Sequence, residues 1–145
     1  MEFRRAAKDD LEKLKPLHGN YKREIGEDAP AEEDFARLAA AMEREDILFY
    51  VCADEGRLIG CCSICRTFST FDYQTGGVFE DFYILPEYRH QGIARKLVRY
   101  AYQQSGVRSL LVGCADCDIS MYAALGFSVP LGNLRAYEEQ AEKNK

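Results

Sequence analysis

The stretch of residues 78–97, VFEDFYILPEYRHQGIARKL, constrains the fold of this chain more than any other segment. It opens as a strand-like run that ends at Leu85-Pro86, and a short basic loop follows. A helix begins within that loop, because Ile93 and Leu97 continue an apolar face that runs on to Ala101. The segment therefore predicts a strand, a loop and a helix in immediate succession.

The loop and the first helical turn have the properties of an anion-binding site. The first N–H groups of a helix lack partners and lie at the positive end of its dipole, so phosphates bind there. Gly92 and Ala94 leave the backbone open to a phosphate, and Arg89, Arg95 and Lys96 add positive charge. The patterns GxxxxGK[ST] and GxGxxG are absent; the pattern present is R-x-x-G-x-A.

The rest of the chain predicts a single mixed α/β domain over residues 1–145, in the order β-α-α-β-β-β-α-β-α-β. The predicted strands are residues 2–6, 47–53, 57–68, 78–84, 108–113 and 127–129, with a further one at 134–137. The predicted helices are residues 9–15, 31–44, 92–104 and 118–125. Pro16 is predicted to break or kink the first helix, and residues 69–77 are predicted to form a loop.

Charge is distributed unevenly along the chain. The net charge of −5 argues against a nucleic-acid partner. Residues 24–34 carry six acids and no base, whereas residues 85–108 carry five bases and one acid. This separation indicates an anion-binding side and a cation-binding side, although solvated helix faces would give the same pattern. No apolar run approaches the roughly 18 residues of a membrane helix, and no signal peptide is apparent, so a cytoplasmic location is expected.

Six cysteines include two C-x-x-C pairs, Cys62 with Cys65 and Cys114 with Cys117. Disulfides are not expected without a secretory signal. A shared zinc site is disfavoured, because 48 residues separate the pairs and because positions i and i+3 of a strand face opposite ways. We therefore expect no metal, and interpret the cysteines as small buried apolar groups.

These features together resemble the GNAT superfamily of N-acetyltransferases. The resemblance is specific at residues 80–97, where R-x-x-G-x-A matches the family's Q/R-x-x-G-x-G/A signature, and at MYAALGF, residues 121–127. It implies the GNAT acyl-CoA N-acyltransferase fold, a central and mostly antiparallel sheet flanked by helices, with acetyl-CoA as co-substrate. The residues implied to hold the coenzyme A pyrophosphate are Arg89, His90, Gln91, Gly92, Ile93, Ala94 and Arg95. Those implied to pair their backbone with the pantetheine arm are Phe82, Tyr83 and Ile84.

The resemblance also implies catalytic roles. Tyr122 matches the tyrosine of the family's Y-x-x-x-G-F motif, which serves as general acid for the leaving thiolate. An acceptor amine must lose a proton before it attacks, and Glu80 or Asp81 could accept that proton. In a regular strand these two carboxylates point to opposite faces, so only one is expected to enter the cleft. Ala115 stands where the family often has asparagine, a departure from its pattern.

The acceptor is predicted from a narrower resemblance. Residues 68–83 resemble the diamine and polyamine acetyltransferase branch, and the acidic residues Glu24, Glu27 and Asp28 would lie on the acceptor side and attract cations. A small cationic amine is therefore the expected acceptor. The alternatives are a protein or peptide acetyltransferase acting on lysine or an N-terminus, and a non-catalytic acetyl-CoA sensor. No membrane partner is expected, and a homodimer is left open.

Overall fold

The computed structural model describes residues 1–141, and within them five strands form one mixed sheet in chain order. The strands are β1 (Glu2–Arg5), β2 (Ile47–Asp54), β3 (Arg57–Ser69), β4 (Gln74–Ile84) and β5 (Leu110–Val112). The first four run antiparallel to their neighbours, and β5 joins β4 in parallel. The helices are α1 (Leu11–Glu24), α2 (Glu32–Glu43), α3 (Ile93–Ser105) and α4 (Ile119–Ala124). Short 3-10 turns lie at Lys8–Asp10, Pro86–Tyr88 and Asp116–Asp118. The predicted mixed α/β sheet flanked by helices is confirmed.

Both faces of the sheet are covered by helices. The Phe49 ring of β2 lies beside His18 of α1, whereas the next residue, Tyr50, lies edge-on to Tyr100 of α3. Successive strand residues point to opposite faces, so α1 and α3 lie on opposite sides of the sheet. This arrangement explains why β2 and most of β3 are continuous apolar runs rather than alternating ones.

The α3 side of the core should be sensitive to loss of volume. Leu97 is 0% exposed, so Leu97→Ala should lower the free energy of unfolding by about 2–5 kcal/mol, through lost burial and a residual cavity. Leu131→Ala is the matched control, because Leu131 is 72% exposed and its truncation should change stability by less than about 0.5 kcal/mol. Urea unfolding followed by circular dichroism measures both; equal effects would contradict this core.

Of the break or kink predicted at Pro16, the break is wrong, because α1 runs without interruption from Leu11 to Glu24 and so includes the residues before Ile25, for which a separate helical piece was the alternative. Leu14 and Leu17, on either side of the proline, are both buried in the core. We attribute the continuity to this packing, which holds both halves of the helix to the sheet and offsets the backbone hydrogen bond that proline cannot donate.

The segment predicted as a loop is mostly strand, because β4 begins at Gln74 and Ser69 pairs with it across a tight hairpin. Gly76 and Gly77 resemble loop residues in the sequence but lie inside the sheet. A Cβ at Gly77 would lie 2.4 Å from Cγ2 of Ile64 on β3, so the close approach of neighbouring side chains requires glycine there.

The strands predicted at residues 127–129 and 134–137 do not form in the described chain, where β5 is the last strand. Apolar side chains of this segment, including Val129, Leu134 and Tyr137, remain exposed. Apolar composition alone was therefore a misleading signal, because this segment has no neighbouring strand to pair with in the described chain.

Candidate active site

The α3 N-terminus leaves its first amides without hydrogen-bond partners among residues 1–141. Gly92 is the N-cap with φ of 81°, no side chain caps the helix, and the first backbone bond runs from Lys96 N–H to the Gly92 carbonyl. The amides of Ile93, Ala94 and Arg95 thus lack acceptors within the helix. His90 also has a positive φ, 63°, and a Cβ placed on Gly92 would meet no atom within 4 Å. The turn is open, and its donor set fits a diphosphate.

Two basic side chains around this turn already form hydrogen bonds with other residues of the protein. Arg89 donates from Nε to the Ile84 carbonyl at 2.7 Å and from a terminal nitrogen to the Glu24 carboxylate at 2.9 Å. Arg95 donates to the Ala124 carbonyl at 2.9 Å, which links α3 to α4. These contacts position the loop and occupy the arginine side chains. The backbone amides are therefore the donors of this turn that are most available to a ligand.

The sheet opens beside this turn. β5 pairs with β4 only from Gly77 to Phe79, whereas β4 continues to Ile84. Residues 80–84 of β4, which include Phe82, Tyr83 and Ile84, therefore pair with no strand of residues 1–141 on their β5 side. A strand edge of this kind presents N–H and C=O groups to an extended ligand.

A β-bulge in β4 corrects the prediction that Glu80 and Asp81 face opposite ways. Ser63 of β3 pairs with Glu80, but Cys61 pairs with Tyr83, so β4 contains one extra residue here. Asp81 adopts a φ of 54°, and its Oδ2 accepts a 2.6 Å hydrogen bond from Ser63 Oγ. Glu80 is directly opposite Ser63, so both carboxylates lie on the α1 face of the sheet.

The two carboxylates shape the electrostatics of this face. Burial, and next the charge of Asp81, raise the pKa of Glu80. Burial first, then the charge of Asp81 and the nearby Tyr122 and Glu80, raise the pKa of Tyr21 on α1 to about 12. Side chains from α1, β4 and α4 therefore lie near these two carboxylates, and the region around them is called the acidic cleft below.

Tyr122 lies across this cleft on α4. Its ring packs 6.5 Å from that of Phe82 and 5.9 Å from that of Phe127, measured between centroids. Burial, followed by Asp118 and Cys114, raises the pKa of the phenol. The phenol therefore stays protonated at neutral pH, the state a proton donor requires.

The acidic residues predicted to bind substrate lie at and beyond the end of α1. Glu24 is paired with Arg89, and Glu27 with Lys22 at 3.1 Å. Asp28 is exposed and makes no ion pair with residues 1–141. Two of the three carboxylates are thus partly neutralised, and Glu80 and Asp81 become the main acidic groups of the cleft.

Sequence reasoning missed the residues that surround Asp81. His18 and Tyr21 of α1 approach from one side, and Ser63 of β3 binds from the other. A helix continued through Pro16 would have placed Leu14, His18 and Tyr21 on one face, at i, i+4 and i+7. The predicted helix break concealed that signal.

The described residues hold no group of three or more His, Cys, Asp or Glu side chains arranged for a metal ion. Cys52, Cys61 and Cys62 are buried, as expected of small apolar groups, whereas Cys114 and Cys117 are exposed. No helix in residues 1–141 has the length and apolar character needed to span a membrane.

An open strand edge, a helix N-terminus with free amides and a pair of neighbouring carboxylates form an arrangement that could hold a phosphate-bearing ligand beside a polar one. A family model described as an acetyltransferase (GNAT) domain matches residues 45–129. The chain belongs to the GNAT acetyltransferase family and is an acetyl-CoA-dependent acetyltransferase.

Solved structures share the fold over nearly the whole chain. A probable acetyltransferase superposes with a TM-score of 0.79 at 24% identity, covering 96% of this chain and 100% of its own. An aminoglycoside acetyltransferase from an uncultured soil metagenomic sample, in complex with sisomicin, gives 0.80 at 15% identity, covering 97% and 96%. A predicted acetyltransferase from Clostridium acetobutylicum, with acetyl-CoA, gives 0.68 at 16% identity, covering 99% and 95%. No curated protein matches the sequence.

Proposed function

We propose that this enzyme transfers an acetyl group to a primary amine of a small cationic acceptor, of the diamine or polyamine kind, by direct attack. One observation carries the proposal: the β4 bulge brings Glu80 and Asp81 onto the same face of the sheet, beside the open strand edge. Two neighbouring carboxylates attract a cation and also supply a proton acceptor next to it.

Acetyl-CoA would supply an acetyl thioester to this cleft. The α3 amides from Gly92 to Arg95 would hold its pyrophosphate, and the backbone of Phe82, Tyr83 and Ile84 would pair with the pantetheine arm. Held in this way, the acetyl group would lie near Glu80 and Asp81 of β4 and Tyr122 of α4.

Different side chains would accept and donate the protons of the reaction. An ammonium acceptor gives up a proton to Glu80, whose raised pKa makes it a better base than an ordinary carboxylate, or to Asp81. The free amine would then attack the thioester carbonyl, the carbon–sulfur bond would break, and Tyr122 would donate its phenolic proton to the departing sulfur. The second proton, which the acylated nitrogen must lose, would return to the tyrosinate and restore the phenol. Direct transfer is preferred over an acetyl-cysteine, because the thiols of Cys114 and Cys117 are exposed and donate no hydrogen bond to a side chain within residues 1–141.

The choice of acceptor rests on charge. The aminoglycoside acetyltransferase that shares this fold was solved in complex with sisomicin. That complex supports the choice of a polycationic small molecule as acceptor. A lysine side chain or a peptide N-terminus would present the same reacting group and is the main alternative. A thiol-release assay should show turnover with spermidine and small diamines and slower turnover with amino acids and a lysine peptide. Coenzyme binding without turnover on any amine would instead indicate a sensor.

Replacement of Glu80 by glutamine should lower kcat/KM for the preferred amine by about 100-fold, because a proton acceptor is lost. In the native enzyme kcat/KM should fall as pH drops through the raised pKa of Glu80, since only the ionised carboxylate accepts a proton. The pH at which kcat/KM falls on the acidic side should change in Glu80→Gln. Glu43→Gln, at an exposed position on α2, is the control. A wild-type pH profile in Glu80→Gln would refute its role.

A further inference from the structure

His18 has an unusual environment for an imidazole. Its Nδ1 is buried and has no hydrogen-bond partner in the described chain. The ring is enclosed by aromatic side chains from three elements, at 6.1 Å from the centroids of Tyr21, Phe35 and Phe49. A buried polar atom without a partner is costly, so its location calls for a functional explanation.

The polar group facing Nδ1 is a carboxylate of the cleft. Nδ1 lies 3.8 Å from Oδ1 of Asp81, about 1 Å longer than a hydrogen bond. Both side chains are only 12% exposed. The other oxygen of Asp81 already accepts from Ser63, so Oδ1 is the oxygen left for His18 and the acceptor.

The chemistry of the pair fixes where the imidazole proton lies. Burial lowers the pKa of His18, Lys22 lowers it further, and Asp81 opposes both, so the ring is neutral at neutral pH. An ionised carboxylate only accepts hydrogen bonds. The tautomer that suits a neutral ring facing Asp81 is therefore the one with its proton on Nδ1.

We propose that His18 is a positioning residue for the acetyl transfer: its Nδ1–H donates to Oδ1 of Asp81 when the acceptor binds, and so fixes this carboxylate between α1 and Ser63, aimed at the acceptor amine. The inference rests on the proposed function, because it assigns Asp81 a role in acceptor binding. The bulge alone does not hold this carboxylate, since Asp81 has a φ of 54° and its side chain accepts a single hydrogen bond from residues 1–141, that of Ser63.

Two substitutions separate positioning from packing. His18→Phe keeps an aromatic ring among Tyr21, Phe35 and Phe49 but removes the donor. His18→Asn loses the ring but retains an N–H near the Nδ1 position. We expect His18→Phe to raise KM for the amine and lower kcat/KM about 10-fold or more, with acetyl-CoA affinity unchanged. We expect His18→Asn to recover part of the loss despite its poorer packing.

A double-mutant cycle with Asp81→Asn tests whether His18 acts through Asp81. The two losses should not add, so His18→Phe should have little further effect in the Asp81→Asn background. Full additivity, or wild-type kinetics in His18→Phe, would overturn the proposal. Since Asp81→Asn alone should still impair turnover, additive losses would leave the proposed function standing.

A spectroscopic readout is independent of turnover. Long-range ¹H–¹⁵N NMR should show neutral His18 protonated at Nδ1 in the native protein, and should show that preference lost in Asp81→Ala. His90, which is exposed, serves as the internal control. A proton on Nε2 of His18 in the native protein would overturn the proposal even if no amine were turned over.

Discussion

Tyr122→Phe should lower kcat by roughly 100-fold or more, the contribution typical of a positioned general acid. The substitution removes only the hydroxyl, and the ring remains packed against Phe82 and Phe127. The departing thiolate would then have to leave without a proton from the enzyme. Affinity for acetyl-CoA should change little, because Tyr122 is assigned to the transition state rather than to the bound cofactor.

Stopped-flow or steady-state thiol release measures kcat, and calorimetry measures the acetyl-CoA Kd. Tyr102→Phe is the matched control, because it makes the same chemical change at an exposed site on α3. Unchanged turnover in Tyr122→Phe would show that the tyrosine serves only the packing between α4 and β4.

Gly92→Glu should abolish acetyl-CoA binding, with a Kd at least about 100-fold weaker. A carboxylate at the α3 N-cap would lie among the amides assigned to the pyrophosphate. Like charges about 4 Å apart repel by about 4 kcal/mol at an effective dielectric of 20, which corresponds to roughly three orders of magnitude in affinity. The fold should persist, because a Cβ at Gly92 meets no atom within 4 Å.

Gly92→Ala separates charge from backbone strain. It imposes the same left-handed φ of 81° on a residue with a Cβ, at a cost of about 1–2 kcal/mol in stability, without negative charge. Its coenzyme affinity should fall far less than that of Gly92→Glu. Equal affinities for Gly92→Glu and the native enzyme would overturn the loop assignment.

The strand–loop–helix junction could be predicted from the sequence because each of its signals is local. Pro86 ends the strand, Gly92 opens the turn, and the apolar spacing of Ile93 and Leu97 marks the helix. The family follows from the same residues, since the matched segment 45–129 contains them.

The acidic cleft could not be predicted in the same way, because it depends on contacts between distant elements. Alternation along a strand carries no sign of the extra residue at Asp81, and the bulge reverses the face that Asp81 occupies. The contact of His18 with Asp81 joins α1 to β4, and a helix that continues through Pro16 brings them together. Local propensity predicted a break there because it does not include the packing of Leu14 and Leu17.

The amides at the start of α3 are proposed to bind the diphosphate of coenzyme A, and the rest of the proposed mechanism depends on that contact. Titration of ¹⁵N-labelled protein with coenzyme A, followed by amide NMR, tests it directly in a chain of 16.5 kDa. We expect the largest shifts on Gly92, Ile93, Ala94 and Arg95, with a second group on Phe82, Tyr83 and Ile84. Saturable binding that leaves the amides of the α3 turn unshifted would contradict it.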